Sequence, residues 1–159
     1  MYNKELTWCL KQKRGIRLVN PNQRLAEEYL KKAKGSLNSM NAVEQIGEIE
    51  WIATTAYYAR YFALYALLMK MGIKSEIHDC SIAVANLLAE HGIIQKELVN
   101  DLSHAKELRI DMQYYIPTEL KKEKIEKSVK QARMFVLEME KTIEAINEEQ
   151  INLVRKILA

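Results

Sequence analysis

Ala56-Tyr57-Tyr58-Ala59-Arg60-Tyr61-Phe62-Ala63-Leu64-Tyr65-Ala66-Leu67-Leu68 is apolar almost all the way round a helical wheel, with five aromatic rings and a single charge. A surface helix carries an apolar stripe roughly 100° wide and turns the rest of its circumference to water. This segment has no such polar face, so other helices must wrap it on several sides and it forms the axis of the fold. Extended outward, the same helix is expected to run from about Val43 to Met71 and to stop at Gly72. Glu44, Glu48 and Glu50 lie toward its N-terminal end, where acids favour the helix dipole.

The remaining elements are read from spacing and caps. Leu6, Cys9 and Leu10 recur at helical intervals between Glu5 and about Lys13, and Gly15 stops this arm before an irregular Ile16-Arg17-Leu18-Val19 stretch. Asn20-Pro21-Asn22 opens the first long helix, whose buried stripe is Ala26, Leu30, Ala33, Leu37 and Met40. After Gly72 comes a connector, Ile73 to His78, and then a shorter helix capped by Asp79, carrying Ile82, Ala85, Leu88 and Ala89, and closed by Gly92. From Glu97 to about Tyr114, Leu98, Leu102 and Ala105 make an inward row that reaches Arg109 four residues later. Pro117 halts this helix and Thr118 caps the last, where Ile125, Val129, Ala132, Val136, Met139, Ile143 and Ile146 alternate by three and four residues. In phase, the row continues to Gln150, Leu153 and Ile157, which favours one long C-terminal helix over a break at Asn147-Glu148-Glu149.

The expected architecture is therefore all-α, an up-and-down antiparallel bundle of four to five helices. It has a short N-terminal arm (1–20), a long C-terminal helix including an extension over 147–159, and a single domain over 1–159. On the axial helix, Trp51, Tyr58, Phe62 and Tyr65 share one line, and Thr54, Tyr57, Tyr61 and Leu68 share the next. Buried phenols need hydrogen-bond partners, so one line should face the interior and the other a cleft or a second subunit.

Composition narrows the classes. A chain of 159 residues, 48% hydrophobic, with five Gly, two Pro and no linker between apolar blocks suits one compact domain that buries roughly two-thirds of its unfolded surface. Cys9 and Cys80 are too few for a disulfide scaffold and do not form a Cys-x-x-Cys pair, so both are read as reduced and structural, in a cytoplasmic setting. No secretory leader pattern is present, and Arg60 and Lys70 interrupt the longest apolar run, so membrane spanning lacks support. A net charge of +3 from 24 basic and 21 acidic residues gives little global attraction for nucleic acid. The basic runs at Lys11, Lys13, Arg14 and Arg17, at Lys31, Lys32 and Lys34, and from Lys121 to Lys130 are read as solvated faces. In the third, Glu119, Glu123 and Glu126 are interleaved.

Several chemistries find no footing. A ferritin-like centre needs two facing carboxylate-x-x-His pairs, and only Asp101-x-x-His104, with Glu107 a turn on, approaches one, so no metal and no cofactor is expected. No glycines frame a serine as a nucleophile elbow, and there is no phosphate loop. The informative polar set is Glu107-Leu108-Arg109-Ile110-Asp111-Met112-Gln113-Tyr114-Tyr115-Ile116-Pro117. Its structural reading pairs Arg109 with a neighbouring carboxylate, while its functional reading makes the guanidinium, the acid and two phenols a polar cleft for phosphate.

Four blocks in order resemble the HEPN (higher eukaryotes and prokaryotes nucleotide-binding) superfamily, in its small stand-alone prokaryotic and archaeal branch. They are Trp8-Cys9-Leu10-Lys11 leading to Leu25 through Ala33, then Tyr57-Tyr58-Ala59-Arg60-Tyr61-Phe62, then Gly72 through His78, then Leu108-Arg109-x-Asp111-x-x-Tyr114-Tyr115. The resemblance implies a helical bundle that forms a homodimer, binds nucleotide or RNA, and pairs with a minimal nucleotidyltransferase in a toxin and antitoxin module. Many relatives are metal-independent ribonucleases whose signature is an arginine, four to six residues, then a histidine. Arg109 takes the arginine position, but Tyr114, Tyr115 and Ile116 occupy the histidine positions.

An unperturbed phenol, with pKa near ~10, is a poor general acid or base at neutral pH, and losing such a group forfeits about 10²–10⁴ in rate. The chain therefore reads as a binding protein with a degenerate ribonuclease motif. Arg109, Asp111 and Tyr114 are the residual catalytic candidates, and Arg109, Tyr114, Tyr115, Tyr57 and His78 are the nucleotide or RNA contacts. A ribonuclease working through Arg109, Asp111 and a tyrosine, and a purely structural partner subunit, are the alternatives.

Overall fold

The structure is a computed structural model that describes residues 3–116 and 118–159. The chain order is α1 (Lys4–Lys11), β1 (Ile16–Leu18), α2 (Gln23–Ile46), α3 (Ile49–Met71), β2 (Ile73–Ser75), α4 (His78–Glu90), α5 (Lys96–Tyr114), α6 (Glu119–Ala145) and α7 (Glu148–Leu158). At 80% helix, with the helices packed antiparallel, it is the all-α bundle that the sequence predicts.

α3 is the axis, as its composition requires. From Ile52 to Met71 almost every turn is buried on all sides, and the helix packs against α2, α5 and α6. The partners supply the stripes read from spacing: Ala26, Ala33 and Met40 on α2, and Ile125, Val129, Ala132, Val136, Met139 and Ile143 on α6. Asn22 accepts from the Leu25 amide to start α2, and Thr118 accepts from the Lys121 amide to start α6. Pro117, read as the stop after α5, lies outside the described residues.

Several boundaries differ from the sequence reading. α2 continues to Ile46 and the turn is made by Gly47, whose left-handed φ of 72° suits glycine. Glu44 and Glu48 thus flank the turn, leaving Glu50 as the acid in the first turn of α3. α4 starts at His78 with Ile77 in the N-cap position, and Asp79 forms an ion pair with Lys106 instead of capping. The C-terminal heptad does not run through. Asn147 accepts from the Gln150 amide while the Gln150 side chain accepts from the Asn147 amide, and this capping box starts a separate α7. Its buried positions are Val154 and Leu158, and Leu153 is exposed.

The stretches read as irregular and as a connector pair with each other. β1 and β2 form a short antiparallel ladder with Ile16 opposite Ser75, Arg17 opposite Lys74 and Leu18 opposite Ile73. Two three-residue strands far apart in sequence leave no periodic signal. Gly72, at φ 72°, turns the chain from α3 into β2 in a place where a Cβ would strike the Val19 carbonyl and the Arg155 guanidinium. That guanidinium donates to the carbonyls of Val19, Met71 and Gly72 at 2.8, 3.1 and 2.6 Å, tying α7 to the turn.

The cysteine expectation is overturned. Cys9 and Cys80 form a disulfide between α1 and the first turns of α4, and no free cysteine remains among the described residues. Spacing could not reveal it, because only the packing of α1 on α4 brings residues 71 apart within bonding range. The argument for a reducing compartment goes with it. No described helix is long and apolar enough to cross a membrane.

Candidate functional site

His78, the first residue of α4, is set down by β2 against the tyrosine face of α3. Its Nδ1 lies 2.6 Å from the Tyr57 hydroxyl, and its ring stacks on Tyr61 with centroids 4.0 Å apart. Tyr58 meets the imidazole edge-on at 6.2 Å. The Tyr61 hydroxyl reaches Ser81 Oγ, which bonds Ser75 Oγ, so the end of β2 and the first turn of α4 are held to the same face.

Across this cage comes α5. The Arg109 guanidinium carbon lies 4.8 Å from the Tyr57 ring centre and 5.7 Å from that of Tyr58, at cation–π range. Its Nε is buried and has no hydrogen-bond partner among the described residues, an uncommon state for a donor of this strength. Arg109 is one position off the expected inward row. The residues α5 buries are Val99, Leu102, Ala105, Leu108 and Met112, and Arg109 beside them is half-buried, neither a core residue nor, among the described residues, paired with a carboxylate.

Burial sets the protonation of the cage. It pushes the Tyr57 hydroxyl well above the usual phenol range, although Arg109 opposes the shift, and it raises Tyr61 too. Burial first, then the Arg109 and Lys106 charges, lower the pKa of His78 below its ordinary value. The phenol therefore keeps its proton. Its one acceptor among the described residues is His78 Nδ1, so the Tyr57 O–H donates there and the neutral imidazole carries its hydrogen on Nε2.

A pH dependence follows. Above the unfolded histidine pKa of about 6.5 His78 is neutral in both states. As pH falls below that value, the unfolded chain takes up the proton first and the fold loses stability until the depressed folded pKa is passed. Urea denaturation between pH 7 and pH 5 should show a larger loss for the wild type than for His78→Gln. Equal losses would contradict the depressed pKa.

The other candidates lie elsewhere. Asp111 is two residues past Arg109, about 200° round the helix. It pairs with Lys121 at 3.7 Å on a groove of about 510 Å³ between α5 and α6 that also includes His104, Lys124 and Lys127. Tyr114 and Tyr115, 75% and 63% exposed, lie with Trp51 along a shallow depression at the end of α5. So the structure gathers Tyr57, His78 and Arg109 and leaves Asp111, Tyr114 and Tyr115 outside the cage. Sequence reasoning missed the walls contributed by Tyr58 and Tyr61, although their positions one residue and one turn from Tyr57 put them within reach. Among the described residues no group of three His, Cys, Asp or Glu side chains could hold a metal ion.

The arginine that meets a carboxylate in the core is Arg60, fully buried on α3. Nε and Nη2 donate to Asp101 at 2.7 and 3.1 Å, Nη1 to the Ala56 carbonyl at 3.0 Å, and Nη2 also to the Ser128 carbonyl at 2.7 Å. With every nitrogen of the core arginine partnered, Arg109 is left as the cation of the cage.

Comparison with known proteins bears on this geometry. The sequence model of the HEPN domain matches residues 26–142, a span containing Tyr57, Tyr58, His78 and Arg109. No curated protein matches the chain.

Proposed function

The chain belongs to the HEPN family, and from that premise we propose that the Arg109 cage binds the phosphate of a nucleotide or of RNA. In this reading the protein works as a homodimer, as the HEPN component of a toxin and antitoxin module with a minimal nucleotidyltransferase. The observation that carries the binding reading is the buried Nε of Arg109, without a partner among the described residues, on a guanidinium that lies over Tyr57 and Tyr58. A phosphate oxygen is an acceptor of the charge and size that this donor lacks, and a guanidinium offers two parallel donors to it. The neutral His78 adds Nε2–H as a further donor.

A second reading, a working ribonuclease, gains from one observation: the cage holds an imidazole supplied by α4, where the motif after Arg109 has none. The tautomer weighs against it. With Nδ1 taken by Tyr57, Nε2 is a donor and lacks the lone pair a general base needs.

Titration of AMP and of short RNA by calorimetry tests the proposal. Arg109→Ala is expected to weaken both by about 10- to 100-fold, from the loss of a charge-assisted hydrogen bond. Arg109→Lys should recover only part, because an ammonium has no planar fork. Unchanged affinity in Arg109→Ala would end the phosphate reading. Incubation with total RNA separates the two readings, since cleavage lost in both Arg109→Ala and His78→Ala would favour the ribonuclease.

A further inference from the structure

The rings around Arg109 do not end at the cage. Along α3, Tyr58 stacks on Phe62 with centroids 5.6 Å apart and planes 29° apart, and Phe62 stacks on Tyr29 of α2 at 6.4 Å and 28°. All three rings are partly exposed. At the far end, Lys32 Nζ lies over the Phe62 ring at 4.4 Å. The row thus reads cation, ring, ring, cation: Arg109, Tyr58, Phe62, Lys32.

Lys32 is placed for this against a local alternative. Glu28 precedes it by four residues, the spacing and order that favour an ion pair on a helix. No such pair forms among the described residues, and the ammonium turns to the ring instead. Its neighbour Lys34 is neutralised by Glu140 at 2.8 Å on α6, whereas Lys32, on an exposed side chain, forms no ion pair among the described residues. Beside it, Leu25, Glu28, Tyr29, Lys31 and Lys32 line an open depression of about 370 Å³.

We infer that this row is a second nucleic-acid subsite. The ligand of the Arg109 cage is then a single strand of at least two nucleotides running from Arg109 across Tyr58 and Phe62 to Lys32, not a mononucleotide. Tyr58 and Phe62 are four residues apart, about 6 Å along the helix axis, against roughly 3.4 Å per nucleotide in a stacked strand. Two cations at the ends of two partly exposed rings match two phosphates bracketing stacked bases. Aromatic faces accept any base, so the subsite extends the strand without reading its sequence. The inference rests on the phosphate reading of Arg109, and its test is built to fail separately.

Fluorescence anisotropy with a labelled single-stranded oligoadenylate, alongside calorimetry with AMP, provides that test. Lys32→Ala and Phe62→Leu should each weaken the oligonucleotide about five-fold or more and leave AMP affinity unchanged. Lys32→Ala should also reduce the slope of log K against log salt by about 0.7, the share of one phosphate contact on a single strand. Arg109→Ala should weaken both ligands, and if it weakens neither, the fault lies in the Arg109 reading. The subsite is overturned if the wild type binds no oligonucleotide, or if the Lys32 and Phe62 variants bind it as the wild type does or lose AMP equally. It is also overturned if sedimentation shows that these variants lose self-association in parallel with RNA binding, which would make the face a contact between copies. Lys32 is exposed and leucine keeps position 62 apolar, so both variants should fold, and their circular dichroism checks this.

Discussion

Asp101→Ala is expected to destabilise the protein by about 3–5 kcal/mol, the usual cost of stripping one partner from a buried ion pair. Arg60 is 0% exposed, and its guanidinium joins three helices: α3 through the Ala56 carbonyl, α5 through Asp101 and α6 through the Ser128 carbonyl. Truncating Asp101 leaves that charge in the core with two carbonyl dipoles for company. Asp101 itself keeps 14% of its side-chain surface in water, so some solvent can follow the cavity in, and the lower half of the range is favoured. Urea denaturation measures the loss, and a melting temperature lower by about 6–20 °C would accompany it in a chain of this size. Asp101→Asn, which keeps an acceptor, should fall between. Arg60→Met with Asp101→Leu should cost less than Asp101→Ala alone, because an apolar replacement removes the charge that the single variant strands. A loss below about 1 kcal/mol for Asp101→Ala would place the pair with surface bridges such as Arg133 and Glu44.

This node shows what the sequence could and could not disclose. The lone charge in Ala56–Leu68 was visible, and so was the reason that the helix around it must be central, because both follow from residues on one helix. Its partner was not visible, since Asp101 is 41 residues away on another helix and read as a half-formed metal motif. The same division runs through the site. Tyr57, His78 and Arg109 were legible as candidates, but their meeting depends on β2 delivering His78 to α3, and β2 exists only by pairing with β1. Asp111 and Tyr114 were grouped with Arg109 by closeness in sequence. Helical geometry separates them: Asp111 faces the opposite groove, and Tyr114 sits at the exposed end of α5. The break after Ala145 was masked for a related reason. A heptad row reports which face is buried and says nothing of whether the backbone bonds between turns are made, while the capping box at Asn147 and Gln150 interrupts them.

Removing the Cys9–Cys80 disulfide should cost about 2–5 kcal/mol. The bond closes a loop with a sequence separation of 71, and in the chain-entropy view a cross-link of that span removes much of the freedom of the unfolded chain. What it holds in the fold matters as much. α1 buries little besides Leu6 and Cys9, too small an apolar face to secure an eight-residue helix on its own. Cys80 stands two residues after His78 and one before Ser81, the hydroxyl that bonds Tyr61. Cys9→Ser with Cys80→Ser, or reduction of the wild type, should therefore lower the denaturation midpoint, and hydrogen exchange should rise first in α1. If α1 also steadies the start of α4, protection of the Cys80 and Ser81 amides should fall next, while the amides of α3 and α6 stay protected. A double variant with wild-type stability and an equally protected α1 would show that packing alone docks the helix, and would leave the cross-link without a stabilising role.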